Sequence, residues 1–175
     1  QSAEKSVYKL ARMYSGVAVR TYRDFVKKAE EVAVNLRGDD GLYSADIEEY
    51  VHQRAVYLHI QEVKEFQLNK RIEKATDIAD KRGKKLTASD LAKIEDDFNK
   101  SFIESNITQQ RLNQMRGKLS RTEQQRADRA HKELIKFYRD ILDELLESGV
   151  ISEESYETLT TAYPNYVPLY RDMSD

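Results

Sequence analysis

Residues 44–83 read SADIEEYVHQRAVYLHIQEVKEFQLNKRIEKATDIADKRG, and this stretch decides the fold. It holds no proline, and its first glycine is Gly83 at the very end. Ile47, Tyr50, Val51, Tyr57, Leu58, Ile60, Val63, Phe66, Leu68, Ile72, Ile78 and Ala79 recur at three- and four-residue steps, the period of an α-helix. Ser44 is a good N-cap, and Asp46, Glu48 and Glu49 suit the positive end of the helix dipole. Lys81 and Arg82 suit the negative end, and Gly83 stops the run. In the middle the apolar positions run nearly all round, so this long helix should be central and packed on more than one side.

The same period extends outward. Upstream, Val7, Leu10, Met13, Tyr14, Val17, Tyr22, Phe25, Ala29, Val32 and Leu36 mark a helix over 3–36, with Gly16 as a kink or close crossing. The loop Arg37-Gly38-Asp39-Asp40-Gly41 ends it. Downstream, Thr87 with Asp90 opens a helix to about Glu104, and a short one runs from Thr108 to Gly117. Ser120 and Glu123 form a capping box that opens another, stopped by Gly149, and Ser152 caps a last one over 153–162. Both prolines, Pro164 and Pro168, follow it, and the residue before a proline is pushed out of the α region, so 163–170 should be extended. No segment alternates with period two. The expectation is an all-α protein: an irregular antiparallel helical bundle with three long helices, short connecting helices and an extended C-terminal strip. Residues 1–43 form an N-terminal helix and loop, 44–162 the bundle core and 163–175 the strip, all within one structural domain.

Charged residues make up 34% of the chain and hydrophobic ones 39%, a polar balance that suits amphipathic helices. A net charge of −2 gives no global field toward nucleic acid or membrane. Without cysteine there is no disulfide framework, thiolate nucleophile or thiolate metal site. No apolar run approaches the roughly 20 residues that span a bilayer, and no signal peptide is visible. The chain opens Gln1-Ser2 without an initiator Met and closes soon after the proline strip, which reads as a piece of a longer polypeptide.

Few residues suggest chemistry. Glu49 and His52, a Glu-x-x-His step, share one helix face, as in bundle di-iron sites, and Asp128 with His131 is a weaker echo. The plainer reading is solvated surface residues, so no metal ligand and no cofactor is assigned. There is no glycine-rich phosphate loop, no nucleophile turn and no Ser/His/Asp set, so no catalytic residue is assigned either. Charge is uneven. Between 109 and 132 lie seven basic residues against Glu123 and Asp128, and between 140 and 157 seven acids with no basic residue. Arg111, Arg116, Lys118, Arg121, Arg126 and Arg129 are candidates for phosphate-backbone contact, although a solvated face explains them more simply. A second basic cluster, Lys81, Arg82, Lys84 and Lys85, surrounds Gly83. The strip reads as an arm packing back over an apolar seam, and Tyr163, Tyr166, Pro168 and Tyr170 are its candidate protein-contact residues.

Leu145-Leu146-Glu147-Ser148-Gly149-Val150-Ile151-Ser152, followed by Tyr163-Pro164-Asn165-Tyr166-Val167-Pro168-Leu169, resembles a helical region of the large polyvalent proteins of phages and conjugative elements, also found in some phage internal virion proteins. Upstream, Ile47-Glu48-Glu49-Tyr50-Val51 and Ala55-Val56-Tyr57-Leu58 look like that region's tyrosine-bearing helix, and Asn106-Ile107-Thr108 also fits. The resemblance covers about 46–171. The region's His-x-x-Glu-Arg stretch stands here as His59-Ile60-Gln61-Glu62-Val63, without the arginine. The resemblance implies a non-enzymatic helical module of a phage or mobile-element protein, cytoplasmic or virion-associated. It would pack against other domains of its parent, or against sister copies as a homo-oligomer, with no membrane contact. The alternatives are a DNA-associated module using the 109–132 face, and a bundle metalloprotein using Glu49 and His52.

Overall fold

A computed structural model of the chain describes residues 26–102 and 106–167. They form α1 (residues 26–34), α2 (Ala45–Lys81), α3 (Ala88–Ser101), α4 (Gln109–Lys118), α5 (Arg121–Glu147) and α6 (Glu153–Ala162). Among the described residues there is no strand, and a lone antiparallel bridge between Arg37 and Tyr43 closes the α1–α2 loop. The all-α expectation holds.

Hydroxyl side chains start five of the helices. Ser44, Thr87, Thr108, Ser120 and Ser152 each accept from the backbone N–H three residues on, at 3.1–3.3 Å. The Thr87–Asp90 and Ser120–Glu123 pairs close as capping boxes. Each cap contributes about 1 kcal/mol and fixes where its helix begins. Gly83 and Gly149 end α2 and α5 with φ of +66° and +71°, in the left-handed region that side chains avoid. Gly117 differs: it lies inside the last turn of α4, and the C-cap Leu119, with ψ of 141°, turns the chain toward Ser120. Of the three long helices expected, α2 and α5 have 37 and 27 residues. The first is seen only over 26–34, so Gly16 and most of 3–36 lie outside the described residues, as does Glu104.

α3 and α4 follow one another back along α2, antiparallel to it, whereas α2 and α5 run parallel. Arg54 meets Asp128, whereas further along α2 Glu62 meets Asn165, just after α6, whose Thr160 meets Arg139 of α5. The pair sits side by side because α3 and α4 return the chain between them. α2 touches α3, α4, α5 and α6, the central position its all-round apolar pattern requires.

The core gathers at the N-terminal end of α2, where Ile47, Tyr50 and Val51 meet Leu112, Leu119, Ala127 and Ala130. Ala127 and Ala130 are fully buried, and their small side chains allow close approach of α5 to α2. The burial does not extend along α2: its buried residues stop at His59. From Phe66 to Lys81, roughly 22 Å of helix at the usual rise, α2 continues with α3 returning beside it. In α3 only Phe98 is fully buried, clamped by the Arg71 guanidinium 5.0 Å above its ring and by Phe102 at 5.4 Å. The α2–α3 arm is therefore thin.

Candidate functional site

Where α2, α4 and α5 meet, the chain places charges against the core. Asp128 of α5 accepts from Arg116 of α4 through two parallel bonds of 2.8 and 2.9 Å, and from Arg54 of α2 at 2.6 Å. Arg116 also donates to the Tyr50 hydroxyl at 3.1 Å and lies over that ring. A bidentate guanidinium–carboxylate pair is strong and directional, so the knot fixes how the three helices meet. The Arg116 hydrogen bonds and, to a lesser degree, those of Arg54 hold the Asp128 carboxyl down to about 2, against the opposing effect of burial. Arg116 is raised in turn by Asp128 and Tyr50.

One helical turn on, His131 is buried, and its Nε2 has no hydrogen-bond partner among the described residues. Burial first, then the nearby Arg54 charge, push it down to about 4, with Asp128 opposing. It is thus a neutral imidazole at physiological pH. In the Asp128–His131 step His131 is buried, while the half-buried Asp128 has both carboxylate oxygens committed to arginines.

A second cluster closes the C-terminal strip onto α2. His59, also buried, is met edge-on by Tyr163 and Tyr166, each at 5.5 Å between ring centres, and Phe66 meets Tyr163 at 5.4 Å. Glu62, one turn along, accepts both the backbone N–H and the side-chain amide of Asn165. Burial lowers the His59 pKa and raises that of Tyr163. The strip is not fully extended: the Tyr166 N–H donates to the Tyr163 carbonyl at 3.0 Å, making a turn at Pro164–Asn165. Pro164 favours such a turn by fixing φ. Val167 then buries, at 4% exposure. Pro168 and Tyr170 lie outside the described residues.

The basic stretch divides. Arg116 belongs to the knot. Arg126 reaches across to the α1–α2 loop and donates to the carbonyls of Arg37 and Gly38. Arg111 sits 3.7 Å from Glu49. Lys118, Arg121, Arg129 and Lys132 are exposed, and none pairs with an acid among the described residues. Glu49 also accepts from Gln53, and His52 is exposed; the described residues contain no group of three or more side chains suited to holding a metal ion.

A cleft of about 280 Å³ between α2 and α4 is lined by Asp46, Glu49, Arg111, Gln114, Met115 and Lys118. Another of about 210 Å³ lies between Tyr57, Ile60, Phe102 and Ile107. Neither includes Asp128, His131 or His59, so the groups with displaced pKa values are not those facing these openings. No family model, curated protein or solved structure matches the chain. No helix among the described residues is long and apolar enough to cross a membrane.

Sequence reasoning missed three residues that join distant parts of the fold. Arg54 and Glu62 look like ordinary surface charges on a helix, and Asn165 like a turn residue. One signal was available: Asp128 is one of only two acids within a strongly basic stretch, a natural attractor for neighbouring arginines.

Proposed function

We propose that this chain is a non-catalytic helical interaction module of a phage or mobile-element multidomain protein, working by contact with other domains of its parent or with sister copies. The observation that carries the reading is where the inward charges go. Asp128, Arg54, Arg116, Arg126 and Glu62 each hold one part of the fold to another. Such pairs specify geometry, and they leave no base poised beside an open site. The Tyr-Pro-x-Tyr-Val strip, the most specific element of the resemblance, closes the bundle over His59 and Glu62.

Lysine cross-linking of the parent protein, purified from its particles or producing cells, tests this. Links from Lys81, Lys84, Lys85 or Lys132 to other domains or copies are the expected result. Links confined to the segment itself would overturn it. A DNA-associated module is the second reading, supported by the exposed Arg121, Arg129 and Lys132 on α5. It requires duplex or single-stranded DNA binding that weakens steeply between 50 and 200 mM salt, limits chosen as about the usual range for such titrations.

A further inference from the structure

We infer that the partner is a second copy of this chain, paired reciprocally through the tip of the α2–α3 arm and the acidic corner where α5 turns into α6. The inference rests on the interaction-module reading and names its surface.

The tip is Lys81, Arg82, Lys84 and Lys85 around Gly83, all exposed, and among the described residues none of the four has an acidic partner. The Gly83 turn is fixed by the Gly83 and Lys84 N–H groups donating to the carbonyls of Asp80 and Ala79. The cations are therefore presented by an ordered helix end. Asp77 and Asp80 on the preceding turn weaken the field at a distance, so the tip acts at contact range.

The corner carries the opposite charge and an electrostatic cost. Asp140 and Asp143 are used within the fold, by Lys28 and by the Tyr156 hydroxyl. Glu144, Glu147, Glu153, Glu154 and Glu157 are exposed and unpaired among the described residues. The last turn of α5 holds no basic residue, so Glu144 and Glu147 add their charge to the negative end of a 27-residue helix dipole. That arrangement is unfavourable in the isolated chain. Cations from outside would relieve it, and the tip is the densest cluster of unpaired cations in the described chain.

The arm also needs cover. Beyond the bundle its one fully buried large side chain is Phe98, and Ile78 near the tip is 44% exposed. A two-helix hairpin that buries so little gains from packing against another surface. Because α2 and α5 run parallel, tip and corner lie toward the same end of the molecule. A two-fold axis then brings each tip to the other copy's corner, so every contact is made twice, as an isologous dimer requires.

Charge reversal tests this on the 175-residue chain. One variant carries Lys84→Glu and Lys85→Glu, the other Glu144→Lys and Glu147→Lys, and both should keep the parent's circular dichroism because all four sites are exposed and the two introduced lysines suit the negative end of α5. In sedimentation equilibrium at low salt the parent should dimerise. Each reversed variant should associate at least about tenfold more weakly, the two mixed should associate like the parent, and high salt should dissociate all of them. A parent that stays monomeric overturns the inference, as do reversed variants that dimerise like the parent or a mixture that does not recover. A tip that binds DNA in a monomeric parent would also overturn it, in favour of phosphate contact. Cross-links to other domains of the parent protein would still stand, so the two readings fail separately.

Discussion

His131 offers a test of the core in which direction and size both follow from the structure. It is 6% exposed, its Nε2 has no partner among the described residues, and its pKa falls from 6.5 to about 4. The unfolded chain therefore binds a proton near pH 6.5 that the folded chain refuses until about pH 4. Where the unfolded state binds more protons, stability falls as pH falls. The contribution of a neutral His131 is thus fully present above pH 6.5 and is lost progressively down to about pH 4. A displacement of that size corresponds to about 3 kcal/mol once complete, and to about 2 kcal/mol at pH 5. Replacing His131 with Leu removes the titration and a buried polar atom that lacks a partner, so at pH 7 it should change stability by less than about 1 kcal/mol. Urea unfolding at pH 7 and pH 5 should show the parent losing about 2 kcal/mol more than His131→Leu between the two. If both lose the same amount, or if the His131 ring resonances titrate near pH 6.5 in the folded protein, the burial argument is wrong.

Three further outcomes follow from the same contacts. Asp128→Asn leaves Arg54 and Arg116 sharing a neutral partner; at 37% side-chain exposure solvent screens the loss, so about 1–2 kcal/mol is expected. Its effect should be non-additive with Arg116→Gln by more than about 0.5 kcal/mol in a double-mutant cycle, and simple additivity would refute the knot. Phe98→Ala empties the best-buried site of the arm and should cost about 3–5 kcal/mol locally, seen as faster amide exchange in α3 while α5 stays protected; equal acceleration in both would mean that the arm is not a separate unit. Glu62→Ala should release the strip, with faster exchange at Asn165 and Val167 and little change in α2, whereas unchanged exchange would show that the tyrosine rings alone hold it.

The helices were legible because their limits are set locally. A hydroxyl at the N-caps of α2 to α6 and a glycine with positive φ after α2 and α5 act within one turn, and those are visible residue by residue. Gly117 marks the end of α4 only to within one residue: a glycine tolerated inside a helix looks like one that ends it, and only the φ angle tells them apart. The clusters were much less legible. Glu62 and Asn165 are 103 residues apart, and nothing near either one shows the pairing. That α2 and α5 run parallel, which brings strip and α2 together, is equally a property of the whole chain path.

The charge pattern of α5 shows what the fold does with such distant information. Its N-terminal half is basic and its C-terminal half acidic, the reverse of what its own dipole favours. For an isolated helix this would be a fault. In the bundle α1 runs antiparallel beside it, so the C-terminal end of α1, the negative end of its dipole, and the loop that follows lie against the basic half. There Arg126 donates to the carbonyls of Arg37 and Gly38. Toward the other end Lys28 of α1 answers Asp140. The reversed polarity thus selects one direction for α1, since turning it round would set cations against N–H groups. The α1 contact accounts for Asp140, the Tyr156 hydroxyl of α6 takes Asp143, and there the pairing stops. Glu144 and Glu147 oppose the dipole with nothing described to balance them. If the rule that explains the first half of the helix also governs the second, the balancing charge comes from another molecule, and the charge-reversal pair decides whether that molecule is a second copy.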